Sequence, residues 1–305
     1  MHDLIIIGGG PAGLTAGMYS ARSRLDVLLL ERLAPGGQVL TTDWVENYPG
    51  FPEGISGFDL MDRMRAQAER FALGIRGEEV VSLELSGDRK VVITAKERLE
   101  TRSLILACGA NWKKLGIEGE DLLTGKGVSY CATCDGPFFR DQEVAVIGGG
   151  DTAIEEALFL TRFVSRVYLV HRRDELRATK LLQERAMAQD KITFLWNRVP
   201  LRILGDKGVE GIELKNVKTA EVSEKAVQGV FVFIGTTPNT ELVQGLVDLD
   251  SNGFIVTDND MATSVPGVFA AGDIRSKLFR QIATAVGEGA AAAFSVERYL
   301  ESLQE

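Results

Sequence analysis

The sequence predicts an α/β protein built from two Rossmann-like (three-layer ββα) nucleotide-binding domains, and three observations carry this. DLIIIGGGPAG at residues 3–13 sets an apolar run before a glycine turn, and VAVIGGGDTA at residues 144–153 repeats the arrangement. Both copies lead into residues of helical composition. A chain of 305 residues, 45% hydrophobic and 25% charged, is long enough to give each copy its own core.

In the first copy, residues 4–7 form a short continuous apolar run, which suits a buried strand, and residues 14–21 have the composition of a helix. Gly8 makes the turn between them, Gly10 lets a pyrophosphate approach the backbone, and Gly13 lets helix pack on strand. The helix N-terminus then faces the phosphates with its positive dipole end. A second strand over residues 26–30 ends on Glu31, where a carboxylate can accept hydrogen bonds from a ribose. Glycine triplets also occur in ordinary turns, so strand, helix and acid together point to a dinucleotide site.

Residues 32–57, RLAPGGQVLTTDWVENYPGFPEGISG, have no clean period. Trp44, Tyr48 and Phe51 argue for an ordered loop against something flat or apolar, with a loop covering a domain edge as the plainer alternative. Residues 58–73 are helical in pattern. Strands follow at 79–85 and 90–94 around a Gly87-Asp88 turn, and residues 103–107 are a buried strand ending at Cys108-Gly109-Ala110.

In the second copy Gly148, Gly150 and Ala153 take the fingerprint positions and residues 155–161 the helix. Its second strand, 166–170, ends at His171-Arg172-Arg173. Because 31 − 8 and 171 − 148 both equal 23, His171 stands where Glu31 stood. Loss of the acid removes repulsion from a 2′-phosphate, and Arg172, Arg173 and Arg177 would supply charge-assisted forks for it. The second site should therefore prefer NADP over NAD, the alternative being a solvated charge run at a helix end. Beyond it come a helix around 180–188, strands at 192–196, 211–215 and 229–234, and a turn-rich crossing, GTTPNTEL, at 235–242. A strand at 268–271 ends in Gly272-Asp273, and an Ala-rich helix spans roughly 283–300. Asp273 could cap backbone amides or bond a ligand hydroxyl, and the sequence treats the two equally.

Just ahead of the second fingerprint lies Cys131-Ala132-Thr133-Cys134-Asp135-Gly136. Cysteines three positions apart can close a disulfide or open to a dithiol and so hold two electrons, although half a zinc site has the same spacing. Asp135 could supply or take the proton that accompanies thiolate chemistry. Lys plus Arg number 34 against 43 Asp plus Glu, and a formal charge of −9 argues against a nucleic-acid or anionic-membrane surface as the main business. Three cysteines are too few for a secreted disulfide scaffold, which favours a reducing cytoplasm with one working pair. The N-terminus lacks the basic start and apolar length of a signal peptide, and no apolar run approaches membrane-spanning length. A nicotinamide gives up a hydride whereas a disulfide is reduced by thiolate chemistry, so two nucleotide sites and one cysteine pair imply a relay. A flavin performs it, with FAD on the first fingerprint and NADPH on the second.

The order and spacing of GGGPAG, GGQ at 36–38, ENYPGF at 46–51, CATCDG, GGGDTAIEEAL, HRRDELRA and VFAAGD with Arg280-Gln281 resemble the bacterial-type, low-molecular-weight thioredoxin reductases along essentially the whole chain. The resemblance implies a discontinuous FAD domain, residues 1–112 and 242–305, with an NADPH domain, 113–241, inserted. Gly10, Pro11, Ala12 and Gly13 would meet the pyrophosphate, Glu31 the adenosine ribose, and Gly37, Gln38 and Asn47 the middle of FAD, with an adenine contact near Val80. Asp273 would bind the ribityl side, while Arg280, Gln281 and Ile282 would approach the flavin ring. Gly148, Gly150, Asp151, Thr152, Ala153 and His171 would hold NADPH, and Arg172, Arg173 and Arg177 its 2′-phosphate. Cys134 would lie against the flavin, Cys131 would attack the disulfide of a thioredoxin, and Asp135 would act as general acid or base. The family's mechanism implies rotation of the NADPH domain about hinges near 113–115 and 235–242, and a cytoplasmic homodimer. Cys108 departs from the family, whose members more often carry threonine there; a small buried residue at a strand end accounts for it. The rivals are the reductase component of an alkyl hydroperoxide system, a reductase fed by ferredoxin, and a non-catalytic flavin redox sensor.

Overall fold

The structure, a computed structural model, describes residues 1–42, 44–85, 87 and 89–303. Asp88 of the expected turn lies outside the described residues. The chain divides into two compact units, Met1–Asn111 with Thr237–Glu305, and Trp112–Thr236.

In the first unit the strand His2–Ile7 lies between Val27–Glu31 and Arg98–Leu106, parallel to both. Gly74–Gly77 extends the sheet beyond Val27–Glu31, and Val268–Ala270 pairs in parallel with the C-terminal half of Arg98–Leu106. The N-terminal half of that same strand turns into an antiparallel meander with Lys90–Thr94 and Val80–Glu84. One long strand thus serves two layers. The helices Pro11–Arg22 and Ile282–Ser302 pack on one face of the sheet, and Leu4, Ile6, Leu14, Leu29, Ile105 and Val296 form the core between them. Strand residues of the other parity, Ile5, Leu28 and Leu104, face a second cluster, as the two-residue period requires. The pattern over 58–73 yields a helix only over Gly57–Glu69. Ala72 adopts a left-handed backbone, φ 61°, which turns the chain back into the strand Gly74–Gly77.

The N- and C-terminal helices approach closely at glycine. A Cβ built on Gly289 would stand 2.3 Å from the Ala12 carbonyl oxygen. Gly289→Ala should therefore force the helices apart and destabilise the unit by about 1–3 kcal/mol, the usual range for overpacking. A thermal unfolding midpoint equal to that of the parent would contradict this.

The second unit repeats the scheme: a parallel sheet in the order Ile192–Trp196, Arg166–His171, Glu143–Gly148, Gly229–Phe233, Val128–Ser129, with the helix Asp151–Leu160 against it. An antiparallel meander, Arg198–Leu204, Gly211–Asn216 and Val222–Ala226, supplies its other layer. The sequence reading found only the middle strand of these three. The chain crosses between units through the short paired strands Ala110–Trp112 and Thr236–Pro238. Residues beyond the second crossing, which the sequence assigned to the inserted domain as far as 241, fasten to the first unit. Asn239 donates through its amide side chain to the Cys108 carbonyl at 2.8 Å, and Thr240 Oγ1 donates to the Gly253 carbonyl at 2.9 Å. Among the described residues no helix is long and apolar enough to cross a membrane.

Candidate functional site

In the first unit the glycine turn has the geometry its spacing predicts. Gly8 is left-handed at φ 107°, and a Cβ there would meet the Ala107 carbonyl oxygen at 2.3 Å; one on Gly13 would meet the Gly8 carbonyl oxygen at 1.8 Å. Gly10, at the N-cap, has nothing within 4 Å of where its Cβ would be, so the amide end of the helix opens onto free space. Pro11 occupies the first helical position, where its missing N–H costs nothing. Ala12 is buried against the C-terminal helix. Glu31 bends back over this turn and accepts from the Gly9 amide at 2.7 Å and the Leu33 amide at 2.9 Å.

Residues distant in sequence converge beside it. Gly37 begins a 3₁₀ turn, Gly37–Thr41, whose Cβ position would lie 3.3 Å from the Gly10 Cα. Gln38 donates to the Ala110 carbonyl and, at 3.3 Å, to Asn111 Oδ1. Asn47 donates to Gln281 Oε1 at 3.0 Å, joining the aromatic loop to the start of the C-terminal helix at Ile282. That loop is ordered by an apolar cluster of its own, with Val45, Ile55 and Leu60 packed on Tyr48 and Phe51. Gln281 and Thr284 cap the helix in a capping box, so Asp273 is not its cap. Burial pushes the Asp273 carboxyl up, against the opposing pull of Lys277. Its buried Oδ1 meets Lys277 Nζ at 3.2 Å as an ion pair without hydrogen-bond alignment. Arg280 donates to three carbonyls, those of Asp273, Arg275 and Lys277, and covers the Phe254 ring at 4.0 Å. Val80 is buried in the cluster with Ile7 and Leu30.

Glu288 was not foreseen. It accepts the Gly272 amide at 2.7 Å and meets Arg275 and Lys277 at 3.2 Å each, holding the Gly272-Asp273 turn. Nothing in its local sequence, GEG within an Ala-rich helix, marks it out.

The second unit holds the parallel arrangement. A Cβ on Gly148 would meet the Phe233 carbonyl oxygen at 2.5 Å, while Gly150, the N-cap of the helix Asp151–Leu160, faces open space. Ala153 is buried beneath the turn and Thr152 is exposed. Asp151 accepts the Thr179 amide at 2.7 Å. His171 lies over Gly149, where a Cβ would strike its ring at 2.3 Å, just as one on Gly9 would reach Glu31 at 3.2 Å. Its Nε2 is buried without a partner among the described residues, and burial, followed by Arg177, Arg172 and Arg173, holds the ring's pKa below its ordinary value. A cavity opens here, lined by Gly148, Gly149, His171, Arg172, Arg177 and, unforeseen, Arg198. Among the described residues Arg172, Arg173 and Arg177 form no ion pair.

In the same unit Cys131 and Cys134 form a disulfide, with Cα atoms 5.3 Å apart. Cys131 is the N-cap of the short helix Ala132–Asp135. Ser129 fixes it from both sides: its hydroxyl accepts the Cys131 amide at 3.1 Å and lies 3.2 Å from the Cys131 carbonyl. Asp135 ends the helix next to Cys134 and is half-buried. Buried Glu120 accepts from the Leu115 and Gly116 amides and from the Tyr130 hydroxyl, all within 2.8 Å, tying the first crossing to the residue before Cys131.

A family model described as pyridine nucleotide-disulphide oxidoreductase matches residues 2–289. The chain is 52% identical to a thioredoxin reductase of Mycolicibacterium smegmatis over 301 residues, covering 98% of this chain and 97% of that one. The chain belongs to the thioredoxin reductases of the pyridine nucleotide-disulphide oxidoreductase family. It is thus an oxidoreductase with a redox-active Cys131–Cys134 disulfide. Among solved thioredoxin reductases, that of Streptococcus pyogenes MGAS5005 matches with TM-score 0.95 at 49% identity, covering 99% of each chain. That of Lactococcus lactis, described as in the FR conformation, matches with TM-score 0.68, also at 49% identity, over 99% of this chain and 100% of that one.

A second acid of this thioredoxin reductase touches the redox helix. On Asp151–Leu160, burial and then Glu155 push the Glu156 carboxyl up from 4.5 to about 6, against the opposing pull of the Ala132 amide. The folded chain therefore binds this proton more tightly than the unfolded chain. Its contribution is fully present below about pH 4.5 and is lost as pH rises through 6. Glu156→Gln should raise unfolding stability above pH 6 by about 1 kcal/mol, allowing for solvent at its edge, and change little at the acid end. Denaturant midpoints on both sides of the transition test this; an equal gain at both would contradict it.

Proposed function

We propose that this chain takes electron pairs from NADPH, passes them through FAD to the Cys131–Cys134 disulfide, and hands them to an oxidised thioredoxin. The observation that carries the reading is the disulfide at the start of a short helix in a unit that also holds a nucleotide fingerprint and an arginine cluster without ion pairs among the described residues. Each cofactor is supported by a fit. The open N-cap at Gly10, Glu31 over the turn and Asp273 with its buried Oδ1 suit FAD. The open N-cap at Gly150, the unpartnered His171 Nε2 and Arg172, Arg173 and Arg177 suit the adenosine 2′-phosphate of NADPH. On this reading Met1–Asn111 with Thr237–Glu305 is the FAD domain and Trp112–Thr236 the NADPH domain.

FAD supplies the chemistry that the chain lacks, accepting a hydride equivalent and delivering two electrons to a disulfide. Two electrons and two protons break the bond between the cysteine sulfurs and leave a dithiol. Cys131, as thiolate, attacks one sulfur of the partner's disulfide, so a bond forms between the two proteins as the partner's own bond breaks. Asp135 gives a proton to the departing partner sulfur. Cys134, as thiolate, then attacks Cys131 Sγ, re-forming the internal disulfide and releasing the reduced partner. Alternation between accepting and delivering electrons requires the NADPH domain to turn about the crossings near 113–115 and 235–242. Solved relatives of equal identity that match with TM-scores of 0.95 and 0.68 support such motion in the family. A cytoplasmic homodimer completes the proposal.

The test supplies purified protein with NADPH and oxidised thioredoxin and counts new thioredoxin thiols. They should appear only when all three are present; thiols formed with reduced ferredoxin and none with NADPH would overturn the assignment of the second site.

A further inference from the structure

The two sulfurs of the redox bond have unlike surroundings. Cys131 Sγ accepts the Cys134 amide at 3.2 Å and lies 3.3 Å from Thr133 Oγ1. A disulfide sulfur carries no hydrogen, so the Thr133 hydroxyl is the donor. Among the described residues no donor reaches Cys134 Sγ.

The helix Asp151–Leu160 and the 3₁₀ turn Gly136–Phe139 both pack on the helix Ala132–Asp135. Neither contains Lys, Arg or His. These elements and the redox helix itself present three acids: Asp135, Glu156 and Glu155. Their field disfavours a second negative charge nearby. A donor to an ionised acceptor contributes more than one to a neutral acceptor, so both hydrogen bonds strengthen when Cys131 becomes a thiolate.

We infer that the Thr133 hydroxyl is a positioning residue that, together with the Cys134 amide, places the negative charge on Cys131 once the disulfide is opened. The inference rests on the proposed role of Cys131 as the attacking sulfur. The amide is fixed by the helix and is present whatever the side chains are. Thr133 is the part of the device that the sequence controls: Val keeps its shape and removes the donor, and Ser keeps the donor and removes a methyl group.

The experiment follows alkylation of Cys131 by iodoacetamide against pH in chemically reduced protein carrying Cys134→Ser, alone and combined with Thr133→Val or Thr133→Ser. It requires neither NADPH nor thioredoxin, so it stands or falls separately from the electron relay. Thr133→Val should raise the alkylation midpoint by about one pH unit and slow the reaction at neutral pH roughly tenfold, with Thr133→Ser close to the parent. With Cys134 intact, Thr133→Val should slow thioredoxin reduction by a similar factor and leave NADPH-driven opening of the disulfide unchanged. An unshifted profile in Thr133→Val would overturn the inference even in a protein that reduces thioredoxin well, as would a Thr133→Ser profile displaced as far as that of Thr133→Val. A shifted, serine-rescued profile in a protein inert toward thioredoxin would uphold the hydrogen bond and refute the relay.

Discussion

Cys134→Ser is expected to lower thioredoxin reduction by roughly 10³-fold or more while NADPH still bleaches the bound flavin at the parent rate. The reason lies in bond counting. A single thiol at Cys131 can attack a partner disulfide, but nothing then attacks Cys131 Sγ to release the partner, and no internal disulfide exists to accept the next electron pair. Cys131→Ser should be as damaging by the other route, since Cys134 has no donor to hold its charge among the described residues. The helix Ala132–Asp135 keeps its backbone bonds in either variant, and Ser129 still fixes residue 131, so flavin content and unfolding midpoint should be those of the parent. Stopped-flow bleaching followed by a thioredoxin assay separates the two half-reactions. Retention of a tenth of the parent rate by Cys134→Ser would mean that electrons leave by another path.

The combined substitution Arg172→Ala and Arg177→Ala should lower kcat/KM for NADPH by roughly 10²–10⁴, as two charge-assisted contacts of about 1.5–3 kcal/mol each imply. For NADH, which has no 2′-phosphate, the change should stay within a few-fold. Both side chains line the cavity beside the Gly148 turn and form no ion pair among the described residues, so their removal leaves no buried carboxylate unpaired. The loss should fall on KM with kcat nearly constant, because the contact is made equally in ground and transition states. Equal losses for both nucleotides would show that the arginines support the fold rather than read the phosphate.

Much of this arrangement was legible in the sequence because backbone geometry restricts which residues can occupy it. Gly8 and Gly13 admit no Cβ, and Glu31 and His171 share a register that the structure expresses as two side chains folded over equivalent glycines, Gly9 and Gly149. The antiparallel meanders were harder to read. Arg198–Leu204 has no two-residue alternation of burial and contains Pro200, Val222–Ala226 alternates only between exposed and partly buried residues, and Gly74–Gly77 has a strand's pairing but a turn's composition. Glu288 and Glu120 escaped notice for a different reason. Each works by holding backbone amides far off in sequence or in another element, and an isolated glutamate carries no local mark of that. Arg198 begins a meander strand, and only folding brings it to the cavity with the arginines after His171.

The central claim is that this one chain moves electrons from NADPH to the Cys131–Cys134 disulfide and out to thioredoxin. Its most direct test is an anaerobic titration of the purified yellow protein with NADPH, followed by oxidised thioredoxin, with flavin absorbance recorded throughout. The account predicts rapid bleaching by NADPH, much slower bleaching by NADH, and full return of colour when thioredoxin is added. Flavin that NADPH leaves oxidised, or reduced flavin whose colour thioredoxin does not restore, would contradict it.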